Sequence, residues 1–244
     1  MYTRKYRMAD KVVEIRSLYG DVHDYCQGYE ALGEPDFSVE ITQSDIDYEK
    51  MKSDSECAYE GVPLQNFSQN VLEITAVYRK IAEQMVQYGS MVFHGSVVAV
   101  DGQGYLFTAK SGTGKSTHTR LWRELFGERA VMVNDDKPIL HVADDRVTVY
   151  GTPYNGKHRL GSDISVQLKA ICILQRAEEN HIEPISKAEA YAMLLQQVYR
   201  PQDSKAMRDT LFYIDKMAEL VSLYRLGCNM DISAAETAYN GMKG

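Results

Sequence analysis

Three segments of the chain repeat apolar residues at the spacing of an α-helix. In residues 66–88 the apolar positions are Val71, Ile74, Val77, Tyr78, Ile81 and Met85, and Gly89-Ser90 follows as a stop signal. Residues 187–199 and 204–223 are amphipathic in the same way and are separated by Arg200-Pro201. The spacing predicts one helix in the first half of the chain and two near its end. A shorter helix is predicted from Ser233, with Ser233 itself as the cap.

Alternating and mainly apolar runs predict strands elsewhere. Residues 12–15 and 37–41 alternate as half-buried strands do. Mainly apolar runs typical of buried strands occupy residues 91–100, 105–109, 130–133 and 168–174, and shorter strands are predicted at 138–142, 146–150 and 224–230. Asp101-Gly102-Gln103-Gly104 separates the first two buried runs and predicts a tight hairpin turn.

An acidic, polar stretch at residues 45–60 interrupts these patterns, and Gly61-Val62-Pro63 after it is typical of a linker or turn. We therefore predict a domain boundary here. Residues 1–62 would form a small strand-rich region, and residues 63–244 the main domain. The expected fold class is α/β of the α+β kind, with a mixed sheet, an N-terminal region that contains strands, and C-terminal helices.

A glycine-rich loop follows the second strand of the predicted hairpin. It matches the P-loop pattern G-x-x-x-x-G-K-[ST], except that Ala109 stands at the first glycine position. Such a loop turns backbone N–H groups towards a phosphate, and the following helix adds its positive N-terminal end. Lys115 would neutralise the terminal phosphates, and Ser116 would supply a magnesium ligand. The predicted phosphate-binding residues are Ser111, Gly112, Thr113, Gly114, Lys115, Ser116 and Thr117.

Two adjacent carboxylates, Asp135 and Asp136, follow the apolar strand at residues 130–133. An acidic residue at the end of such a strand can meet a phosphate-bound metal ion. Two carboxylates can divide the work: one binds magnesium, while the other accepts the proton of an attacking hydroxyl group. A solvated turn is the alternative interpretation.

Four further residues are candidates. Lys157 and Arg159 follow a tight Asn155-Gly156 turn and could stabilise charge on a transferring phosphoryl group, although a solvated basic turn is the alternative. His118 and Trp122 lie at helical spacing after the loop, where packing is favoured over contact with a nucleotide.

The order and close spacing of these features resemble the catalytic domain of HPr kinase/phosphorylase, a protein kinase related to phosphoenolpyruvate carboxykinase. The resemblance covers about residues 85–175 and consists of His94-Gly95, the hairpin, the loop and the segment 131–136 that ends in the two aspartates. It implies a carboxykinase-like mixed sheet with the loop inserted after a hairpin. It also argues against ordinary P-loop NTPases, whose sheet is parallel.

The resemblance implies roles for single residues. Lys115 would bind phosphate, Ser116 and Asp136 would lie near magnesium, Asp135 would be the general base, and His94 would lie close to the phosphate site. A satisfied core histidine is the alternative for His94. The family's glycine- and arginine-rich signature is replaced by residues 152–159, so HPr itself is not the expected substrate. The chain looks more like the shorter, stand-alone bacterial relatives, some of them encoded beside peptide-modification genes.

Composition narrows the classes of partner. The formal net charge is -7 and the sequence has no Lys/Arg-rich run, so it does not indicate a basic surface that would bind nucleic acid or an anionic membrane. The N-terminal segment lacks a signal-like apolar core and no apolar run reaches the ~20 residues of a membrane span, so a cytoplasmic location is the default expectation. The four scattered cysteines suggest neither disulfides nor a zinc site. An assembly of identical chains is compatible with the sequence.

The leading functional hypothesis is a kinase that moves a phosphoryl group from ATP, another nucleotide or pyrophosphate to a hydroxyl group of a protein, peptide or small molecule, with Mg²⁺ as cofactor. One alternative is a carboxykinase-type lyase, for which neither manganese ligands nor a carboxylate-binding arginine set is assignable. The other is a nucleotide-sensing protein without catalysis. Such a protein would not need both Asp135 and Asp136, because binding alone requires no base.

Overall fold

The alternating residues near the N terminus build a small sheet of three strands, which are β1 (Tyr2–Met8), β2 (Lys11–Ser17) and β3 (Phe37–Glu40). β1 and β2 are antiparallel and β3 is parallel to β2. Val13 and Ile15 on β2 are fully buried, as alternation predicts. The computed structural model describes all 244 residues of the chain.

Three helices accompany this sheet, namely α1 (Asp21–Tyr25), α2 (Gln43–Glu60) and α3 (Gln69–Met85). The sequence predicted α3 but not α2. Asp45 accepts hydrogen bonds from the backbone and side chain of Thr42 at the start of α2, and Gly61 ends it in the left-handed conformation. Helical apolar spacing is missing from α2 because its buried positions include Glu49, which pairs with Arg79 on α3.

The rest of the chain forms a sheet of nine strands and four helices. The strands are β4 (Ser90–Val92), β5 (Ser96–Val100), β6 (Gln103–Thr108), β7 (Ala130–Asn134), β8 (Ile139–Val142), β9 (Val147–Tyr150), β10 (Ser165–Arg176), β11 (His181–Pro184) and β12 (Ser222–Cys228). The helices are α4 (Lys115–Phe126), α5 (Lys187–Gln197), α6 (Ser204–Leu220) and α7 (Ser233–Met242).

The nine-stranded sheet is mixed. Its order is β4-β8-β9-β10-β6-β5-β7, and β12 pairs with both β10 and β11. β10 is parallel to β6 and β12 but antiparallel to β9, and β5 is antiparallel to β6 and β7. The predicted α+β fold class with a mixed sheet and C-terminal helices is confirmed.

Each face of this sheet carries its own hydrophobic core because successive side chains on a strand point to opposite faces. On β5, Val97 and Ala99 belong to the core that contains residues of α5 and α6. Val98 and Val100 belong to the core that contains residues of α4 and α7. The sheet is therefore covered on both faces, and this explains the continuous apolar runs of β5 and β10.

Several predicted elements differ in detail. The run at residues 91–100 forms two strands, β4 and β5, because residues 93–95 leave the ladder. Ser233 is the first residue of α7 rather than its cap, and its hydroxyl group accepts a hydrogen bond from Asn180. β1 and β11 were not predicted.

The chain divides into two compact units, Met1–Gln84 and Met85–Gly244. Within the first unit, Glu73 on α3 accepts hydrogen bonds from the backbone N–H groups of Leu18 and Tyr19. The boundary proposed at residues 62 and 63 stays a prediction about which segment can fold alone. None of the helices combines the length and apolar character required to cross a bilayer.

Gly151, directly after β9, lies where three segments converge. A Cβ atom at this position would come within 1.8 Å of the Ser162 carbonyl oxygen and 2.7 Å of that of Val133. Val133 is on β7, two residues before Asp135. The close approach that glycine permits therefore brings β9 and the segment after it against the strand that carries the aspartate pair.

We expect Gly151→Ala to destabilise the protein by about 1–3 kcal/mol, the usual cost of overpacking a core. Urea denaturation followed by circular dichroism would measure this. Gly20→Ala is the control, since φ there is -75° and the new Cβ would be 3.7 Å from the nearest side-chain atom. Equal midpoints for the two variants would contradict the packing argument.

Candidate active site

The glycine-rich loop connects the end of β6 to α4. Gly112 has a φ of 75° and Gly114 a φ of 125°, values that favour glycine. Ala109 at the first position of the motif is buried and does not have a positive φ, as its presence there requires. Helix α4 begins at Lys115, and the backbone N–H of His118 bonds back to the Gly114 carbonyl oxygen. The loop and the free N–H groups of the first turn therefore have the form of an anion site.

Lys115 lies partly buried at the start of this helix. Its Nζ donates to the Ala109 carbonyl oxygen at 3.3 Å. Burial lowers the pKa of Lys115, while the nearby carboxylates of Asp136 and Asp135 act in the opposite direction. A bound phosphate would add negative charge beside this ammonium group and favour its charged form.

A cleft of about 580 Å³ lies in front of the loop, and we call it the aspartate cleft. It brings together candidates that are far apart in the sequence, from the segment between β4 and β5, the loop, α4, the turn after β7 and the segment after β9. The residues that line it are His94, Ser111, Gly112, Gly114, Lys115, Ser116, Thr117, Asp135, Asp136, Gly156, Lys157 and His158. The cleft therefore contains all the predicted site residues except Thr113 and Arg159.

Asp135 is only 7% exposed and is held by a chain of hydroxyl groups. Ser96 on β5 donates to its Oδ1 at 2.6 Å, and Thr119 on α4 is 3.0 Å from the same serine oxygen. One carboxylate oxygen is thus fixed in direction by the hairpin and by the helix that follows the loop. Ser96 was missed from the sequence, because a serine at the start of a strand belongs to no recognisable motif.

The turn that carries both aspartates is shaped by Asn134, the last residue of β7. Asn134 Oδ1 accepts from the backbone N–H groups of Asp136 at 2.9 Å and Lys137 at 2.7 Å. Its Nδ2 donates to the carbonyl and hydroxyl oxygens of Thr152, both at 3.1 Å. The Thr152 hydroxyl in turn donates to the Lys137 carbonyl oxygen at 2.8 Å. This network fixes the backbone from which Asp135 and Asp136 project.

Asp136 lies among ionisable groups. Burial raises its pKa, although Lys137 and Lys115 act against this shift. His94 Nε2 is 3.4 Å from Asp136 Oδ1, and Lys137 Nζ is 3.9 Å from the same oxygen. Burial, with Lys137 and Lys115 nearby, lowers the pKa of His94 to about 4. His94 is therefore neutral at pH 7, and its contact with Asp136 is that of a neutral imidazole rather than an ion pair.

The segment after β9 closes one side of the aspartate cleft. Gly156, Lys157 and His158 line it, and Gly156 has a φ of 72°. Arg159 is exposed and is not among the lining residues. His158 and Lys137 were missed from the sequence, although each is adjacent to a predicted site residue.

The donor atoms suit magnesium better than a metal that needs a protein cage. No group of three or more His, Cys, Asp or Glu side chains is arranged to hold a metal ion. Magnesium in phosphate-transfer sites uses one or two carboxylates plus phosphate oxygens and water. The Ser116 hydroxyl and a carboxylate of the aspartate pair, all lining one cleft, fit that requirement.

A second cleft, of about 530 Å³, lies against the same loop, and we refer to it as the second cleft. Gly112, Gly114 and Thr117 line both clefts. The other lining residues are Thr113, His118, Leu174, Arg176, Ala177, Cys228, Asn229 and Met230. Arg176, at the end of β10, donates to the Gly112 carbonyl oxygen at 2.6 Å.

His118 and Trp122 pack in the buried core between α4 and the sheet, as the sequence favoured. The Trp122 indole N–H donates to His118 Nε2 at 3.1 Å, and the His118 ring meets Phe107 edge-on. His118 is 3% exposed, and its Nδ1 has no hydrogen-bond partner. Burial lowers the pKa of His118 to about 4, so the ring is neutral at pH 7.

The lowered pKa of His94 predicts a measurable titration. The folded state holds this ring neutral below the unfolded pKa of about 6.5, so it binds fewer protons than the unfolded chain between about pH 6.5 and 4. The free energy of unfolding therefore decreases as the pH falls through that window. We expect the His94 ring signal in NMR to titrate near pH 4, and His94→Gln to remove that signal and reduce the loss of stability. Titration near pH 6.5 would contradict the geometry.

Comparison with known proteins places the chain in a family. The family described as "SynChlorMet cassette protein ScmC" matches residues 62–234, which is more than half of the chain. No curated protein matches the chain. Among solved structures, the Hpr(Ser) kinase/phosphatase from Coxiella burnetii is similar at 10% sequence identity and a TM-score of 0.32, over 63% of this chain and 99% of that one. Similarity at that TM-score leaves the chemistry of the site to the chain's own residues. The chain belongs to the ScmC family of SynChlorMet cassette proteins.

Proposed function

We propose that this protein is a kinase that transfers the terminal phosphoryl group of a nucleoside triphosphate, ATP in the first instance, to a hydroxyl group. The observation that supports it most is the aspartate cleft, where a phosphate-binding loop and two carboxylates from a different part of the chain face the same space. A loop that only bound nucleotide would not need the aspartate turn held by a buried hydrogen-bond network.

The loop would bind the phosphate chain. Backbone N–H groups of residues 112–116 and the positive end of α4 would face the phosphate oxygens, and Lys115 would lie beside the terminal phosphate. Magnesium, held by the Ser116 hydroxyl and one aspartate, would supply charge neutralisation on the phosphates. Lys137 and Lys157 would add positive charge at the transferring group.

The acceptor would be activated by the other aspartate. As the acceptor oxygen forms a bond to the terminal phosphorus, its proton passes to the carboxylate and the bond to the bridging oxygen breaks, which releases the nucleoside diphosphate. Because His94 is neutral, it adds no positive charge that would lower the pKa of Asp136 and make its carboxylate a weaker base. The proposed acceptor is a hydroxyl group of a protein, peptide or small molecule rather than of a nucleic acid, in keeping with the negative net charge of the chain.

Each aspartate has a property that suits one role. Asp136 has a raised pKa and a side chain that is 33% exposed, which suits a base that must reach an acceptor. Asp135 is oriented by Ser96 and lies beside α4, which carries Ser116, and this suits a metal ligand. The resemblance to HPr kinase/phosphorylase implies the reverse division. We therefore propose that one aspartate is the base and the other the metal ligand. The variants Asp135→Asn and Asp136→Asn decide which is which.

Lys115→Ala tests the loop. Because Lys115 contributes no apolar side chain to the cores, the fold should persist. Nucleotide affinity should fall by at least about tenfold, because the positive charge beside the phosphate is lost. Titration calorimetry with Mg-ATP would measure the loss. Lys205→Ala, on the exposed face of α6, is the matched control. Unchanged ATP affinity in Lys115→Ala would refute phosphate binding by the loop.

The aspartate variants test catalysis. Replacing the base by asparagine should leave nucleotide binding intact and lower phosphoryl transfer by roughly 10²–10⁴-fold. Replacing the metal ligand should instead raise the magnesium concentration needed for binding and turnover. Turnover and nucleotide affinity of Asp135→Asn and Asp136→Asn, measured across a magnesium titration with ATP hydrolysis by water as the assay, assign each role. If both variants keep full turnover, the pair is only a turn and the kinase proposal fails.

A further inference from the structure

The second cleft lies where the far end of a bound phosphate chain would emerge. Gly112, Gly114 and Thr117 line both clefts, so both lie against one loop. Lys115, Ser116 and the aspartates line only the aspartate cleft, where the terminal phosphate would react. A phosphate chain held by the loop therefore has its other end directed towards the second cleft.

The lining of the second cleft suits an organic group rather than more phosphate. Leu174, Ala177, Cys228 and Met230 supply apolar surface, and the volume of about 530 Å³ falls within the range of about 300–1,000 Å³ for small-molecule sites. The sulfur atom of methionine makes favourable contacts with aromatic rings. Inorganic pyrophosphate would leave this surface without a ligand, whereas a nucleoside would cover it.

His118, which lines the second cleft, has one buried polar atom without a hydrogen-bond partner. Because the Trp122 indole N–H donates to His118 Nε2, that nitrogen must be the acceptor and the ring proton must be on Nδ1. The Nδ1–H has no acceptor in the protein, and His118 is only 3% exposed. Buried donors without partners are rare in folded proteins. A ligand in the second cleft could supply the missing acceptor, because every nucleobase carries ring nitrogens or carbonyl oxygens.

The walls of the second cleft are fixed without this ligand. Arg176 binds the loop through the Gly112 carbonyl oxygen. The Asn229 side chain bonds the backbone of Glu178 and Asp231, and its own N–H bonds Asn180. These hydrogen bonds hold the walls of the second cleft in place in the absence of a ligand.

We propose that the second cleft binds the nucleoside of the phosphoryl donor, with His118 as a specificity-determining residue that donates a hydrogen bond to the base. This proposal rests on the proposed function and deepens it, since it selects a nucleoside triphosphate over pyrophosphate or an inorganic polyphosphate as donor.

The test compares Mg-ATP with magnesium tripolyphosphate, which has the same phosphate chain and no nucleoside. By titration calorimetry we expect the parent protein to bind ATP at least tenfold more tightly. Trp122 is the only tryptophan in the chain and lies behind His118, so its fluorescence gives a second readout. ATP should change this emission, and tripolyphosphate should not.

Two variants separate the second cleft from the loop. His118→Phe removes the donor, and Ala177→Phe narrows the cleft at a lining residue that is not part of the His118–Trp122 pair. Each should weaken ATP binding by about tenfold, the order of one lost hydrogen bond or blocked contact, and leave tripolyphosphate affinity within about twofold. Phe212→Ala, at a 60% exposed position on α6, is the control. If His118→Phe fails to fold, Ala177→Phe alone decides.

The outcomes distinguish the two proposals. If the parent protein binds tripolyphosphate as tightly as ATP, or if Ala177→Phe retains full ATP affinity, the nucleoside site is refuted while the loop and the kinase proposal stand. If the parent protein binds neither ligand, the kinase proposal fails and the nucleoside site fails with it. Selective loss of ATP binding in the cleft variants would support the site.

Discussion

The Asn134 side chain is fully buried and bonded at both its polar atoms. Its carbonyl oxygen shapes the turn that carries the two aspartates, and its amide nitrogen binds Thr152 after β9. Buried polar networks of this kind are costly when partly satisfied and specific when complete. Since Asp135 and Asp136 lie in a turn after β7, the path of their backbone depends on this amide. The loop and α4 form the other side of the cleft, so the distance between the loop and the carboxylates is fixed by two independent supports.

The electrostatics of the aspartate cleft follow from burial in a small space. Burial acts to lower the pKa of Lys115 and Lys137 and to raise that of Asp136, because it disfavours every charged form. The opposite charges oppose these shifts without cancelling them. A cleft in this state has cationic groups whose ionisation is favoured by an arriving polyanion. We propose that phosphate binding and proton binding are coupled here, even though the chain as a whole carries a formal charge of -7.

Much of the fold was accessible from the sequence because local signals agreed with tertiary structure. Helical spacing predicted α3, α5 and α6, and the hairpin and glycine-rich loop were placed within a few residues of their positions. α2 was missed because its buried face includes a charged residue, Glu49. The Arg79 side chain that pairs with Glu49 lies on another helix, α3. Ser96, Asn134 and Lys137 in the site were missed for a similar reason. Their roles depend on segments that come together only in the folded chain, whereas Lys115 and the aspartates belong to motifs that can be recognised locally.

β10 has a position in the sheet that bears on how the protein opens. It is the longest strand, and it pairs with β6 along one edge and with β9 and then β12 along the other. The backbone amide groups of a strand that has neighbours on both sides exchange with solvent only in the largest opening events, whereas loops open locally at low cost. Arg176, the last residue of β10, binds the Gly112 carbonyl oxygen of the loop. The glycine-rich loop is thus hydrogen-bonded to the longest strand of the sheet, whose amide protons we expect to exchange last.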